Sequence, residues 1–216
     1  ARSLKVKEGK AAGGGGAPRG AIAEVIRAVK AEVKTPLGVH THNDSETAVA
    51  NALAAVQEGA IQVQGTVNGY GELCGNANLC SIVPALELKL GKRCLPEGHL
   101  RTLYEVAHFV AEVANLAPDE HLPYVGKSAF AHKGGIHVAA MRRNAFSYQH
   151  VVPELVGNQQ RVVVSELSGR GNLLSKAEEF GLAGGDVGNV LNEIKALEAK
   201  GFSFEAAEAS VALLMK

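Results

Sequence analysis

Apolar residues at Ile22, Val25, Ile26 and Val29 recur every three or four positions, the period of a helix with one buried face. Pro36 stops that run, because the residue before a proline is pushed out of the helical region. The spacing therefore predicts a helix over about 21–34, followed by a short strand in PLGVHTH, residues 36–42. An alanine-rich run over 44–60 predicts a second helix, with Asn43 or Asp44 as N-cap, Glu46 at capping-box spacing from Asn43, and Gly59 as the stop. Residues 61–66, IQVQGT, alternate and read as a second strand. Beyond the loop VNGYGELCGNAN, a helix is expected over 79–90, and Leu103, Val106, Val110 and Val113 mark a longer amphipathic one.

Helix, strand, helix, strand with short connections is the rhythm of parallel α/β units, whose functional residues gather at the C-terminal ends of strands. From about residue 96 the pattern changes to glycine-rich loops and helical stretches. The expectations there are a loop near 118–133, a helix near 135–143, an extended RVVVSEL, and helical runs near 172–180, 187–200 and 204–215. That half reads as mostly helical. Residues 1–19 include four consecutive glycines and a proline, which supply no periodicity, and are expected to be irregular.

Composition removes several function classes. The 216 residues are 46% hydrophobic and 20% charged, and 22 basic side chains balance 22 acidic ones, so no charge excess points to nucleic acid or to an anionic membrane. Cys74, Cys80 and Cys94 are odd in number and form no C-x-x-C pair, which argues against a disulfide framework or a zinc knuckle and fits a reducing cytosol. No stretch reaches the length of a membrane span and ARSLKVKEGK lacks the apolar core of a secretory signal, so a cytoplasmic protein is expected.

The chemistry is sought in two loops. In GVHTHND, His40 and His42 are two apart on a strand, so both side chains point to the same face. Two imidazoles on one face are either a pair of surface histidines or half of a divalent metal site. The second loop, NGYGELCGNAN, follows the next strand and holds Glu72, Asn76 and Asn78 among glycines that let backbone approach a ligand. An amide oxygen beside two histidines suits manganese, magnesium or zinc.

HTHND followed by NGYGELCGNANL resembles the metal-binding part of the Claisen-condensing acyltransferases, the family of 2-isopropylmalate, homocitrate and citramalate synthases. SAFAHKGGIHVAAM, NAFSYQHVVPELVGN and VSELSGRGNLLSKAEEFG are similar to the linker subdomains that follow the (β/α)8 barrel in that family. The resemblance covers about residues 20–215 and implies an α/β fold: part of a TIM barrel over 20–95, then helical linker subdomains over 96–216. It implies that His40, His42 and Asn76 hold a divalent metal (Mn, Mg or Zn) and that Glu72 belongs to the active-site loop. It implies further that His137 and Tyr148 are lent to the partner's active site in a homodimer. On the residues alone, the favoured readings are a helix-capping or surface role for His137 and ordinary packing for Tyr148. His132 is read as structural, and Lys127 and Arg170 as solvated charge rather than contacts to coenzyme A phosphate.

The implied reaction joins acetyl-CoA to a 2-oxo acid. The loop GTVNGYGELCGNANLCS is closest to members that take pyruvate and feed isoleucine synthesis. Three alternatives remain: 2-isopropylmalate formation, a noncatalytic dimerisation module, and a truncated chain. A zinc amidohydrolase would need further histidines and an aspartate on later strands, and a carbon-carbon lyase would lack the linker motifs. Only two barrel-type strands are visible, where a whole barrel takes about 250 residues. The family's first strand, with its arginine, aspartate ligand and glutamate, has no counterpart, and Leu73 stands where relatives commonly have arginine. The chain is therefore expected to be a fragment, inactive alone.

Overall fold

The computed structural model describes residues 19–132, 137, 140, 141, 143, 144, 147–164, 168–182, 187–205 and 207–216. The expected irregularity of 1–19 therefore lies outside them except at Arg19, as do Ser165–Leu167 of RVVVSEL and most of the expected helix near 135–143. The chain divides into two compact units, with the boundary between Gly126 and Lys127.

The first unit runs α1 (Arg19–Glu32), β1 (Gly38–His40), α2 (Ala48–Gln57), β2 (Gln62–Gln64), α3 (Leu79–Leu90) and α4 (Leu103–Val113). The mixed helix and strand content is that of an α/β protein. Strands β1 and β2 pair in parallel, with Gly38 opposite Gln62, Val39 opposite Val63 and His40 opposite Gln64. Parallel strands need a crossover, and α2 supplies it. Its alanines explain the close packing: Ala48, Ala52 and Ala55 are fully buried beside Ile22 of α1, Val39 of β1, and Ile82 and Leu86 of α3. Val39 faces this core, whereas Gly38 and His40 are exposed, as are Gln62 and Gln64. The helices thus cover one face of the sheet and leave the histidine face open.

In the first unit, the start of α2 departs from expectation. Helix α2 begins at Ala48, four or five residues after the expected cap, because Glu46 takes a left-handed φ of 60° and cannot be helical. Asn43 still serves the helix: its Oδ1 accepts from the Ala48 amide at 3.2 Å, across a turn rather than at N-cap position. Gly59 does end the helix, at φ 104°. Helix α3 spans the expected residues, started by Asn78 Oδ1 accepting from the Cys80 amide at 2.9 Å and ended by left-handed Gly91.

The second unit pairs β3 (Ala131–His132) in parallel with β4 (Arg161–Val162) and adds α5 (Arg170–Glu179), α6 (Val187–Glu198) and α7 (Glu208–Leu214). Val164, Leu173, Ile194, Phe204 and Val211 form its core. Lys176 is buried at the edge of that core, its Nζ 2.8 Å from Glu179 and 3.2 Å from Glu208, which also receives Arg161 at 2.7 Å. Helix α7 starts at Glu208 rather than 204, and Phe204 turns into the core instead.

Candidate metal centre

Both loops of interest lie at the C-terminal ends of the parallel strands, and a single residue stitches them together. The Ala77 amide donates to Thr41 O just past β1 at 3.0 Å, and Ala77 O accepts from the Thr66 amide just past β2 at 3.0 Å. Nearby, the Asn43 amide donates to Gly75 O at 2.9 Å, and His42 and Asn76 form a β-bridge. The glycine-rich loop is thereby folded back over the end of β1, which sets Asn76 beside the histidines.

His40 Nε2 and His42 Nε2 stand 3.2 Å apart, their rings edge to face at 77°. Two nitrogens each about 2.1 Å from one ion, subtending about 100° there, would be separated by about 3.2 Å. The same spacing also permits one N–H···N bond between two neutral rings. Asn76 supplies the next observation. Its Nδ2 donates to Tyr70 O at 3.2 Å, so its orientation is set, and its Oδ1 is buried with no hydrogen-bond partner among the described residues. A buried amide oxygen left without a donor is costly. A cation would satisfy it. Among the described residues no three of His, Cys, Asp and Glu come together, so two imidazoles and one amide oxygen are the donor set available for a metal, and they fit one. His42 Nδ1 is likewise buried and unpartnered, at the atom through which ligating histidines ordinarily donate to an outer acceptor.

Space for the Asn76 amide comes from Gly71. A Cβ added there would overlap Asn76 Nδ2 and lie 2.8 Å from its Cγ. Glu72, by contrast, is exposed, and Leu73 beside it is 87% exposed at φ 54°. Cys74 is exposed and Cys80 buried; burial raises the Cys80 thiol above its ordinary range, so it stays protonated and donates to Asn68 Oδ1 at 3.5 Å.

In the second unit, His137 and Tyr148 meet, with ring centroids 4.3 Å apart and planes inclined by 35°, although eleven residues separate them in sequence. Both are exposed. His132 is half-buried, and burial followed by the proximity of His137 lowers its pKa, so it favours the neutral form; its Nε2 is buried with no hydrogen-bond partner among the described residues. Lys127 is exposed, in keeping with a solvated charge. The side chain of Arg170 lies outside the described residues. Asn68, Thr66 and Tyr70, which arrange the loop, were not singled out by the sequence reading. The available signal was the Asn-Gly dipeptide at 68–69, which marks a left-handed turn.

Residues 11–110 match a family model described as HMGL-like, and residues 124–201 one described as homocitrate synthase post-HMGL domain-like. The chain is 56% identical over 199 residues to an (R)-citramalate synthase of Geobacter sulfurreducens, covering 90% of this chain and 38% of that protein. An (R)-citramalate synthase of Synechocystis is 51% identical over 94% of this chain and 39% of its own. A 2-isopropylmalate synthase of Methanocaldococcus jannaschii is 36% identical over 82% and 35%. This chain thus spans a little over a third of the length of the curated relatives it matches. With two domain models matched in order, the chain carries an HMGL-like segment followed by a homocitrate synthase post-HMGL domain-like segment, and along most of its length it is similar to proteins named (R)-citramalate synthase.

Proposed function

We propose that these residues are part of a Claisen-condensing acyltransferase that joins the acetyl group of acetyl-CoA to pyruvate, giving citramalate. In this reading β1 and β2 are strands of a (β/α)8 barrel completed by sequence outside this chain, and residues 96–216 are linker subdomains. The observation that carries it is the donor set: two imidazole nitrogens 3.2 Å apart, and on Asn76, the residue bridged to His42, a buried amide oxygen with no hydrogen-bond partner among the described residues. His40, His42 and Asn76 would hold a divalent cation, which supplies Lewis-acid stabilisation of the alkoxide that develops as the ketone is attacked.

The remaining steps belong to protein side chains. His40 and His42 would present their Nε2 atoms on the open face of the sheet, within reach of the 2-oxo acid. His137 is the proposed base, taking a proton from the acetyl methyl group or from the water that hydrolyses the thioester, since an imidazole exchanges protons near neutral pH. Tyr148, packed on the His137 ring, orients it. Glu72, exposed on the glycine-rich loop, would serve the active-site loop around the bound acids.

A homodimer is part of the proposal, and helix α4 supports it. Ala107 and Ala111 bury one side of this helix, while Val106, Phe109 and Val113 leave an exposed apolar stripe on the other. A helix apolar on two faces is normally covered on both. A cytoplasmic location agrees with the substrates, and no helix among the described residues is long and apolar enough to cross a membrane.

The experiment is a thiol-release assay with acetyl-CoA, pyruvate and Mn2+ on this chain joined to the upstream barrel half of a relative. Metal-dependent release that His40→Ala abolishes is the expected result. A well-folded joined protein that releases no thiol with pyruvate or with other 2-oxo acids refutes the proposal; release with 2-oxoisovalerate alone would move it to 2-isopropylmalate formation.

A further inference from the structure

We propose that Asn68 is a positioning residue for Asn76, tying the amide at the metal site to helices α3 and α4; this role rests on the metal reading given above. Asn68 has φ 60° and ψ 7°, a left-handed conformation that costs most residues free energy and that asparagine tolerates better than others. Its side chain is fully engaged. Nδ2 donates to Ala107 O of α4 at 2.8 Å and lies 3.4 Å from the Tyr70 hydroxyl, while Oδ1 accepts from Cys80 Sγ of α3.

The two residues that follow Asn68 then hold Asn76 at both ends. Gly69 O accepts from the Asn76 amide N–H at 2.9 Å, and Tyr70 O accepts from Asn76 Nδ2 at 3.2 Å. This decides which atom of the side-chain amide is left for a cation. With Nδ2 on Tyr70 O, the atom left over is Oδ1. The flipped amide would set Oδ1 against Tyr70 O, acceptor against acceptor, and would offer the cation an NH2 group, which has no lone pair to give. The left-handed turn at Asn68 aims both carbonyls, and its three side-chain contacts hold the turn in register with two helices. A displacement of α4 at Ala107 is therefore felt at the metal ligand, 31 residues away in sequence.

The test measures Mn2+ binding to this chain joined to the upstream barrel half of a relative, read from the free-ion EPR signal, with Asn68→Gly and Asn68→Asp. Glycine keeps the left-handed turn and removes all three contacts; aspartate keeps the acceptor for Cys80 and removes the donor to Ala107. Each variant is assayed well below its own melting midpoint. Expected is a loss of affinity of about tenfold or more in both, the size usual when a group supporting a metal ligand is removed. In an Asn76→Ala background the same substitutions should cost nothing further, because the residue they position is gone. An equal loss with and without Asn76, or no loss at all, overturns the positioning role. A second arm needs no metal: NMR exchange of the Asn76 Nδ2 protons should be slow in the parent chain and fast in Asn68→Gly, and unchanged exchange also overturns it. Failure of the parent chain to bind Mn2+, with exchange behaving as expected, would sink the metal reading and leave Asn68 as the residue that orients Asn76.

Discussion

Gly71→Ala isolates the geometry of the metal site better than removing a ligand does. Gly71 has no positive φ, so alanine adds no backbone strain and the only perturbation is one methyl group. That methyl would lie 2.8 Å from Asn76 Cγ, where unstrained carbon contacts are about 3.5–4.0 Å, so the amide must retreat by about 1 Å. Asn76 Nδ2 starts 3.2 Å from Tyr70 O, and a retreat of that size breaks the bond, at about 1 kcal/mol. With local overpacking included, the chain should lose about 1–3 kcal/mol. Thermal unfolding reads that loss, and Mn2+ titration below the transition should show affinity reduced about 10- to 100-fold, since the amide oxygen leaves the position the imidazoles define. Gly75→Ala is the comparison: its φ of 91° and the nearby Gly69 O add strain in the same loop, so it should destabilise more. A Gly71→Ala chain with parental affinity and melting temperature would refute the reasoning, because it would mean that the amide has room to spare.

Three further outcomes follow from the packing. Asn78→Ala removes the N-cap of α3 and should cost about 1 kcal/mol in denaturant unfolding, with Asn78→Ser recovering most of it. Lys176→Met keeps the buried stem but strands two carboxylates; because Glu179 stays half exposed and Glu208 keeps Arg161, the loss should be about 1–2 kcal/mol, below the 3–5 typical of a broken buried pair, and a larger loss would show that Lys176 carries the cluster alone. The hydrogen bond from Arg161, then that from Lys176, holds the Glu208 carboxyl below its ordinary range. A carboxyl lowered by folding stabilises above its unfolded pKa and loses that contribution as pH falls through the folded value, so stability should drop on acidification from the ordinary carboxylate range, about 4.3, downward. In Glu208→Gln the acid slope should flatten, and an unchanged slope would exclude this carboxyl as its source.

Local physics was legible in the sequence wherever one residue's own chemistry decided the outcome. The helical periodicity of α1 and α4, the start of α3 after Asn78 and the termination of α2 at Gly59 follow from spacing, side-chain capping and glycine's conformational range. The alternation expected of a strand over 36–42 puts His40 and His42 on one side, although β1 ends at His40 and His42 is held by its bridge to Asn76. Tertiary contacts decided the rest. Asn43 and Glu46 form a sound capping box as text, yet the Asn43 amide is taken by Gly75 O from a loop more than thirty residues on, Glu46 turns left-handed, and the helix begins at Ala48. Local preference yields there because a long-range hydrogen bond competes for the same donor. Which atom of the Asn76 amide is bonded and which is left over depends on Tyr70 O, and that on Asn68 and helix α4. The ring contact of His137 with Tyr148, eleven positions on, has no signature in the spacing either. Sequence names the chemical groups and their local direction; the distances at which they can act together are set by contacts between residues that the chain places far apart.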